Sequence, residues 1–230
     1  MVKIVVIIPA RGNSKSLPNK NILPLHGKPL LCYSITYALN CKSVDKVVVS
    51  TESELIASIA KVCGAETPFL RPSEYSQDNT RDYPVMQHAL EFFDGINEIY
   101  DIYFLLRPTS PIRPNGLIER AITILENNPT ASSVRSVAKI KEHPYRAWRI
   151  ESNGSMRGCV GEVEESYNIP RQELPDTYFQ TGDIEAIRRE TLLSGSVSGG
   201  NIYPLIIEHD EMLDIDNIND FKNAEEKLNS

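Results

Sequence analysis

Short apolar runs alternate with helix-patterned segments along most of this chain, and that alternation restricts the fold more than any other feature. The run "KIVVIIPA" is followed by "PLLCYSITYALNCK", with apolar residues at helical spacing, and then by a second run, "DKVVVST". "SELIASIAKVCG" begins with a serine suited to capping a helix and ends in glycine, and "RDYPVMQHALEFFDG" gives a further helix. The strand-like "YDIYFLLRPTSP" leads into a helix, "NGLIERAITILENNP", that Asn-Asn-Pro stops. Strands that are apolar throughout and separated by helices imply an α/β fold with a mainly parallel sheet covered on both faces.

From about residue 141 the pattern changes. The stretch from 141 to 179 holds prolines, several tyrosines and Trp148, with no clear helical period. It is too long for a simple surface connection, and it reads as an excursion with a functional or dimerisation role. Strand-like "GDIEAIRR" and "NIYPLIIEHD" then return to the sheet, and "LDIDNINDFKNAEEKL" reads as a last strand and a terminal helix. The expectation is one domain over 1–230 carrying an inserted arm over 141–179. At 230 residues such a domain buries a sizeable core.

Ligands of such sheets bind at the carboxyl ends of the strands, which draws attention to the loop after the first run. In "VVIIPARGNSKSLPNKNI" the residues Arg11, Lys15 and Lys20 lie within ten positions, far more charge than a reversal of the chain needs. The loop contains neither GxGxxG nor GxxxxGK[ST], so it is neither a dinucleotide fingerprint nor a P-loop. Arg11 and Lys20 can donate charge-assisted hydrogen bonds to phosphate, with Asn13 and Ser14 as neutral donors. A net charge of −7 means that any affinity for phosphate must be local, and it argues against nucleic acid and acidic membranes as partners.

The N-terminal apolar run is too short for a signal-peptide core or a membrane span, so a cytoplasmic location is expected. Cys32, Cys41, Cys63 and Cys159 form no CxxC pair and read as reduced, structural thiols. His26, His88, His143 and His209 lack zinc spacing.

Six blocks, "IPARGNSKSLPNKNI", "VVVSTES", "FLRPSEYSQDNT", "LLRPTSPIR", "IPRQELP" and "LDIDNINDF", occur in this order. Together they resemble the acylneuraminate cytidylyltransferases, or CMP-sialic acid synthetases, over almost the whole chain. The resemblance implies a Rossmann-like nucleotidyltransferase fold and a homodimer, with higher oligomers open, in which the arm reaches the partner's site. It implies transfer of CMP from CTP to the anomeric hydroxyl of an acidic 2-keto-3-deoxy sugar, with Mg²⁺ as cofactor and release of pyrophosphate. Arg11 and Lys20 carry over as phosphate ligands, with Asn21 near the nucleotide and Lys15 a weaker candidate, while Arg71 and Asp78 fall at base-pocket positions.

Asp214 and Asp216 are two residues apart, so in an extended segment both carboxylates face one side and form a clamp for Mg²⁺. Plain readings are a solvated turn, or a cap for the last helix by Asp216 and Asn217; the resemblance favours the metal. Arg107 stands where many of these enzymes have a glutamine, Phe179 where they carry an arginine that helps hold the acid, and Asp82 where a small hydroxyl residue lies near the base. Arg107 is therefore expected to take the substrate carboxylate, with Arg146, Arg171, Gln172 and Gln180 at the sugar. Two further readings stay open: a nucleotidyltransferase using another nucleotide or another acidic sugar such as a 3-deoxy-octulosonate, and a catalytically silent nucleotide-binding protein.

Overall fold

A computed structural model of the chain describes residues 2–14, 17–161, 163–208 and 213–229. Strand β1 (Ile4–Pro9) shows why the first apolar run must lie at the centre of the sheet: Ile4 to Ile8 are all buried, so both faces of the strand are covered. Its side chains alternate between two cores, as a strand's period of two dictates. Ile4, Val6 and Ile8 join one cluster with residues of helices α1 (Leu30–Leu39), α2 (Glu54–Val62) and α4 (Leu117–Asn127). Val5 and Ile7 join the other, with Met86, Leu90 and Phe93 of α3 (Asp82–Gly95).

The sheet is built on β1, β4 (Lys46–Ser50), β5 (Ile102–Leu105), β6 (Ser133–Lys139), β9 (Tyr178–Arg188) and β10 (Ile202–Ile206), in the spatial order β10-β6-β9-β5-β1-β4. β1 is parallel to β4 and β5, and β10 is parallel to β6. β9 runs antiparallel between β5 and β6, with an irregularity in the β6 pairing between Arg135 and Val137. It begins at Tyr178, earlier than its apolar half suggests, and a short helix α5 (Arg189–Leu193) follows it.

Local signals act as expected in α2, where the Ser53 hydroxyl accepts from the Ile56 amide and Gly64 beyond the end adopts φ +95°. A hairpin of β2 (Pro24–Leu25) and β3 (Lys28–Pro29) links the opening loop to α1. The terminal helix α6 (Ile218–Asn229) packs there, through a small core of Leu25, Leu30, Ile215, Phe221 and Ala224.

Two expectations need correction, the strand at the start of "LDIDNINDF" and the reduced state of all four cysteines. Residues 213–216 form no strand: the segment is tied to the body by the Ile215 amide, which donates to the Thr109 carbonyl at 2.8 Å. The arm has ordered structure of its own, a hairpin of β7 (Trp148–Ile150) and β8 (Met156–Gly158) with short 3-10 turns around it. Cys32 and Cys63 are joined in a disulfide with Cα atoms 5.7 Å apart, because the packing of α1 on α2 brings the two together; Cys41 and Cys159 remain thiols. Among the described residues no helix is long and apolar enough to cross a membrane.

Candidate active site

A cavity of about 420 Å³ opens where β1 and β5 deliver their C-terminal loops. The loop after β1 is fixed from below before any ligand arrives. The buried Asn21 amide donates to the Arg11 carbonyl at 2.9 Å, and the Gly12 amide donates to Glu52 Oε1 at 2.7 Å. Arg11 reaches across the cavity to Asp78, with Nη1 and Oδ1 2.7 Å apart. Lys20 extends from a 3-10 turn, Lys20–Ile22, and its Nζ donates to the Ile215 carbonyl at 2.9 Å and meets Asp216 Oδ1 at 3.3 Å. Residues nearly two hundred positions apart thus share one wall.

The spacing of Asp214 and Asp216 acquires a physical cause here. Ile215 between them is fully buried in the α6 core, which leaves both aspartates exposed and on the cavity lining. Asn217, not Asp216, caps α6: its Oδ1 accepts from the amides of Asn219 and Asp220, and Asp220 returns the contact to the amides of Asp216 and Asn217. The carboxyl of Asp214 is raised above the ordinary aspartate value by desolvation first and by the charge of Asp216 second, against the hydrogen bond from Thr109 and the charges of Lys20 and Arg107.

Arg71 is buried, with Nε donating to Ser76 Oγ at 3.0 Å and Nη2 3.4 Å from Glu52 Oε2. Burial lowers its pKa, and Glu52 opposes that. Glu52 therefore ties the opening loop, through the Gly12 amide, to the base-pocket candidate Arg71. Sequence reasoning missed it, although a carboxylate just beyond β4, on the same sheet edge as the loop, was the available signal.

Arg107 also lines the cavity, but it is already engaged within the chain. Its Nη2 lies 2.5 Å from Asp82 Oδ2 and its Nη1 2.9 Å from Glu185 Oε1. Glu185 is buried and also takes Arg135 at 2.9 Å and the Gln180 amide at 2.9 Å. Desolvation lowers the Arg107 pKa, but Asp82 and Glu185 outweigh it and the net shift is upward. Below it the buried Arg113, also unforeseen, donates to the carbonyls of Arg107 and Asp183 and to Ser34 Oγ, and burial pushes its pKa down to about 10.

The structure brings Arg11, Ser14, Lys20, Asn21, Arg71, Asp78, Asp82, Arg107, Asp214 and Asp216 to this one cavity. Asn13 lies on an adjoining cavity of about 490 Å³ that shares Ser14 and Asp78 with the first, and Lys15 and His209 lie outside the described residues. The arm residues are not on the central lining. Arg146 donates to the Ile169 carbonyl at 3.2 Å, and Arg171 and Gln172 line a separate cavity of about 320 Å³ with Lys141 and His143. Gln180 belongs to the Glu185 cluster.

The family model described as "Cytidylyltransferase" matches residues 5–226. The chain is 35% identical over 182 residues to a pseudaminic acid cytidylyltransferase of Campylobacter jejuni, covering 79% of this chain and 76% of that protein. It is 33% identical over 217 residues to a CMP-N,N'-diacetyllegionaminic acid synthase of Legionella pneumophila, covering 94% and 91%. An N-acylneuraminate cytidylyltransferase of Escherichia coli is 32% identical over 222 residues, covering 96% of this chain and 51% of that one. Among solved structures, a CMP:2-keto-3-deoxy-manno-octonic acid synthetase complexed with CTP superposes with a TM-score of 0.74 at 17% identity, covering 99% and 98%, which shows the shared nucleotidyltransferase fold. With a parallel sheet that carries its polar cavity at the strand ends and a family match running from β1 to α6, the chain belongs to the cytidylyltransferase family and is a nucleotidyltransferase enzyme.

Proposed function

We propose that this enzyme transfers CMP from CTP to the anomeric hydroxyl of a nonulosonic acid, a 2-keto-3-deoxy acidic sugar, and releases pyrophosphate. The observation that carries the reading is the meeting of Arg11, Lys20, Asp214 and Asp216 in one cavity, and the nonulosonic acids named in the sequence relatives supply the acceptor class. In the reaction the hydroxyl oxygen forms a bond to the α-phosphorus, the bond from that phosphorus to the pyrophosphate oxygen breaks, and the hydroxyl proton leaves to solvent or a base. Arg11 and Lys20 hold phosphate oxygens and neutralise charge that develops on the leaving group; being fixed by Asp78, Ile215 and Asp216, they need little reorganisation to do so. Arg71 offers donors to the acceptor atoms of the base.

Charge on the lining favours a metal as well. The cations Arg11, Lys20, Arg71 and Arg107 are matched by Asp78, Asp82, Asp214 and Asp216, so a polyanionic triphosphate meets no net positive charge from the protein. Two carboxylates on adjacent outward positions fit Mg²⁺, whose remaining ligands are typically phosphate oxygens and water. When bound by Asp214 and Asp216, the ion would supply Lewis-acid stabilisation of phosphoryl charge.

Release of pyrophosphate from each of the four nucleoside triphosphates, measured against N-acetylneuraminic, pseudaminic and legionaminic acids and a 3-deoxy-octulosonate, tests the assignment. CTP with a nonulosonic acid should give the highest kcat/KM. Preference for another nucleotide or for the octulosonate moves the assignment to that reading, and no release with any pair makes the chain a silent binder.

The arm from 141 to 179 is proposed to complete the sugar site of a partner subunit in a homodimer. Trp148, Ile150, Met156 and Tyr178 are exposed on it, while Arg146 and Arg171 are absent from the chain's own cavity lining. Aromatic side chains and arginine are the types enriched where protein surfaces meet. Mixing Arg171→Ala subunits with Asp214→Asn subunits should then restore activity above either parent, since one of the hybrid's two sites receives both intact residues. No restoration after demonstrated subunit exchange would mean that the arm serves its own chain.

A further inference from the structure

The two cavity positions that depart from the resembled family, Arg107 and Asp82, lie in contact with each other. We propose that Asp82 is an internal counter-ion, occupying on Arg107 the place that the anionic group of an acidic acceptor takes, and that Glu185 is the positioning residue that holds the guanidinium during the exchange. This rests on the reading of the acceptor as an acidic sugar.

The two carboxylates on Arg107 are not equivalent. Glu185 has a side chain 1% exposed and is shared by Arg107, Arg135 and Gln180. Removing it would leave two arginines without their common partner, a costly change in a buried setting. Asp82 has a side chain 39% exposed on the cavity wall and, among the described residues, one ion pair, to Nη2 of Arg107. Exposed pairs are weak and are readily exchanged. Any exchange on this guanidinium therefore occurs at Asp82, the more exposed of its two partners, which lines the cavity with it.

Charge accounting supports the same assignment. Arg107 and Arg135 are balanced by Asp82 and Glu185, so the cluster is neutral in the free enzyme. An incoming carboxylate can replace Asp82 on the guanidinium without leaving a buried charge unpaired. The released Asp82 stays at the first residue of α3, where a carboxylate is favoured by the helix N-terminus. A neutral ligand cannot compensate Arg107 for the loss of Asp82, so it leaves the pair in place and gains nothing from the guanidinium. Only an anionic acceptor competes with Asp82, and that competition lowers its affinity.

Acetate, the smallest carboxylate probe, can be titrated into the full chain while the Arg107 side-chain Nε–H resonance, identified by its loss in Arg107→Gln, is followed. Asp82→Asn should bind acetate about two- to fivefold more tightly than the unaltered protein, the change that an exposed pair supports. Kinetically, Asp82→Asn should lower KM for N-acetylneuraminic acid by a similar factor and leave KM for its uncharged methyl ester unmoved. Glu185→Gln should raise KM for the acid without moving KM for CTP, a split that a general loss of structure would not produce. Equal or weaker acetate binding by Asp82→Asn overturns the counter-ion assignment, and equal rises in both KM values for Glu185→Gln overturn its positioning role. If no acid supports turnover, the functional reading fails by itself and the acetate titration still decides whether Asp82 yields to an anion.

Discussion

Replacing Asp214 by asparagine is expected to lower the rate of nucleotidyl transfer by at least about a hundredfold while CTP binding changes far less. The asparagine keeps the shape of the side chain, and the buried Ile215 keeps the segment where it is, so the loss reads charge rather than position. Asp216→Asn should cost less, because the Asp216 side chain is 76% exposed and its pairing with Lys20 is long. The pH dependence carries a second signature. Because desolvation and Asp216 raise the Asp214 carboxyl, it takes up a proton at a higher pH than an ordinary aspartate does, and the acid limb of turnover lies correspondingly high. Added Mg²⁺ competes with that proton and should move the limb down; Asp216→Asn, by removing the like charge, should move it down as well. Turnover by Asp214→Asn at the unaltered rate, or turnover that survives chelation, would remove the aspartates from the chemistry.

How much of this was readable in advance depends on whether the cause is local. β1 declares itself because a continuous apolar run has nowhere to go but the middle of a covered sheet, and α2 because Ser53 and Gly64 mark its ends. The opening loop was legible from its excess of charge, and the Asp214–Asp216 pair from its spacing. The same spacing misled about structure: alternation suggested a strand, yet the segment is held by the burial of Ile215 and one bond to Thr109, which no local pattern encodes. The antiparallel course of β9 is set by its pairing with β5 and β6. The Cys32–Cys63 disulfide depends on how α1 meets α2, which spacing alone does not show. Arg107 stood out in the sequence as unusual, but its partners Asp82 and Glu185 lie 25 and 78 positions away.

Arg113 was the least legible of all, since an arginine between isoleucine and proline looks like any surface residue, and it carries the largest stability prediction. Arg113→Leu is expected to destabilise the fold by about 3–5 kcal/mol. Removing the guanidinium relieves the cost of burying a charge, which is visible in its lowered pKa. Against that relief stand the Asp183 carbonyl and Ser34 Oγ, which lose a donor in a buried place, and the part-buried Arg107 carbonyl, which loses one of its donors. Asp183 decides the balance. Its carboxyl is buried and raised chiefly by desolvation, with the Arg113 charge among the influences holding it down. In Arg113→Leu that carboxyl rises further, so folding binds a proton that the unfolded chain has already released. A group raised in the folded state favours folding at low pH and costs stability as pH climbs from the ordinary aspartate value through the raised one. The deficit of Arg113→Leu in urea midpoint should therefore be larger at mildly alkaline than at mildly acidic pH, and Asp183→Asn in the same chain should recover part of it. A midpoint equal to that of the unaltered protein would show that the three acceptors find other donors, and a deficit independent of pH would remove Asp183 from the account.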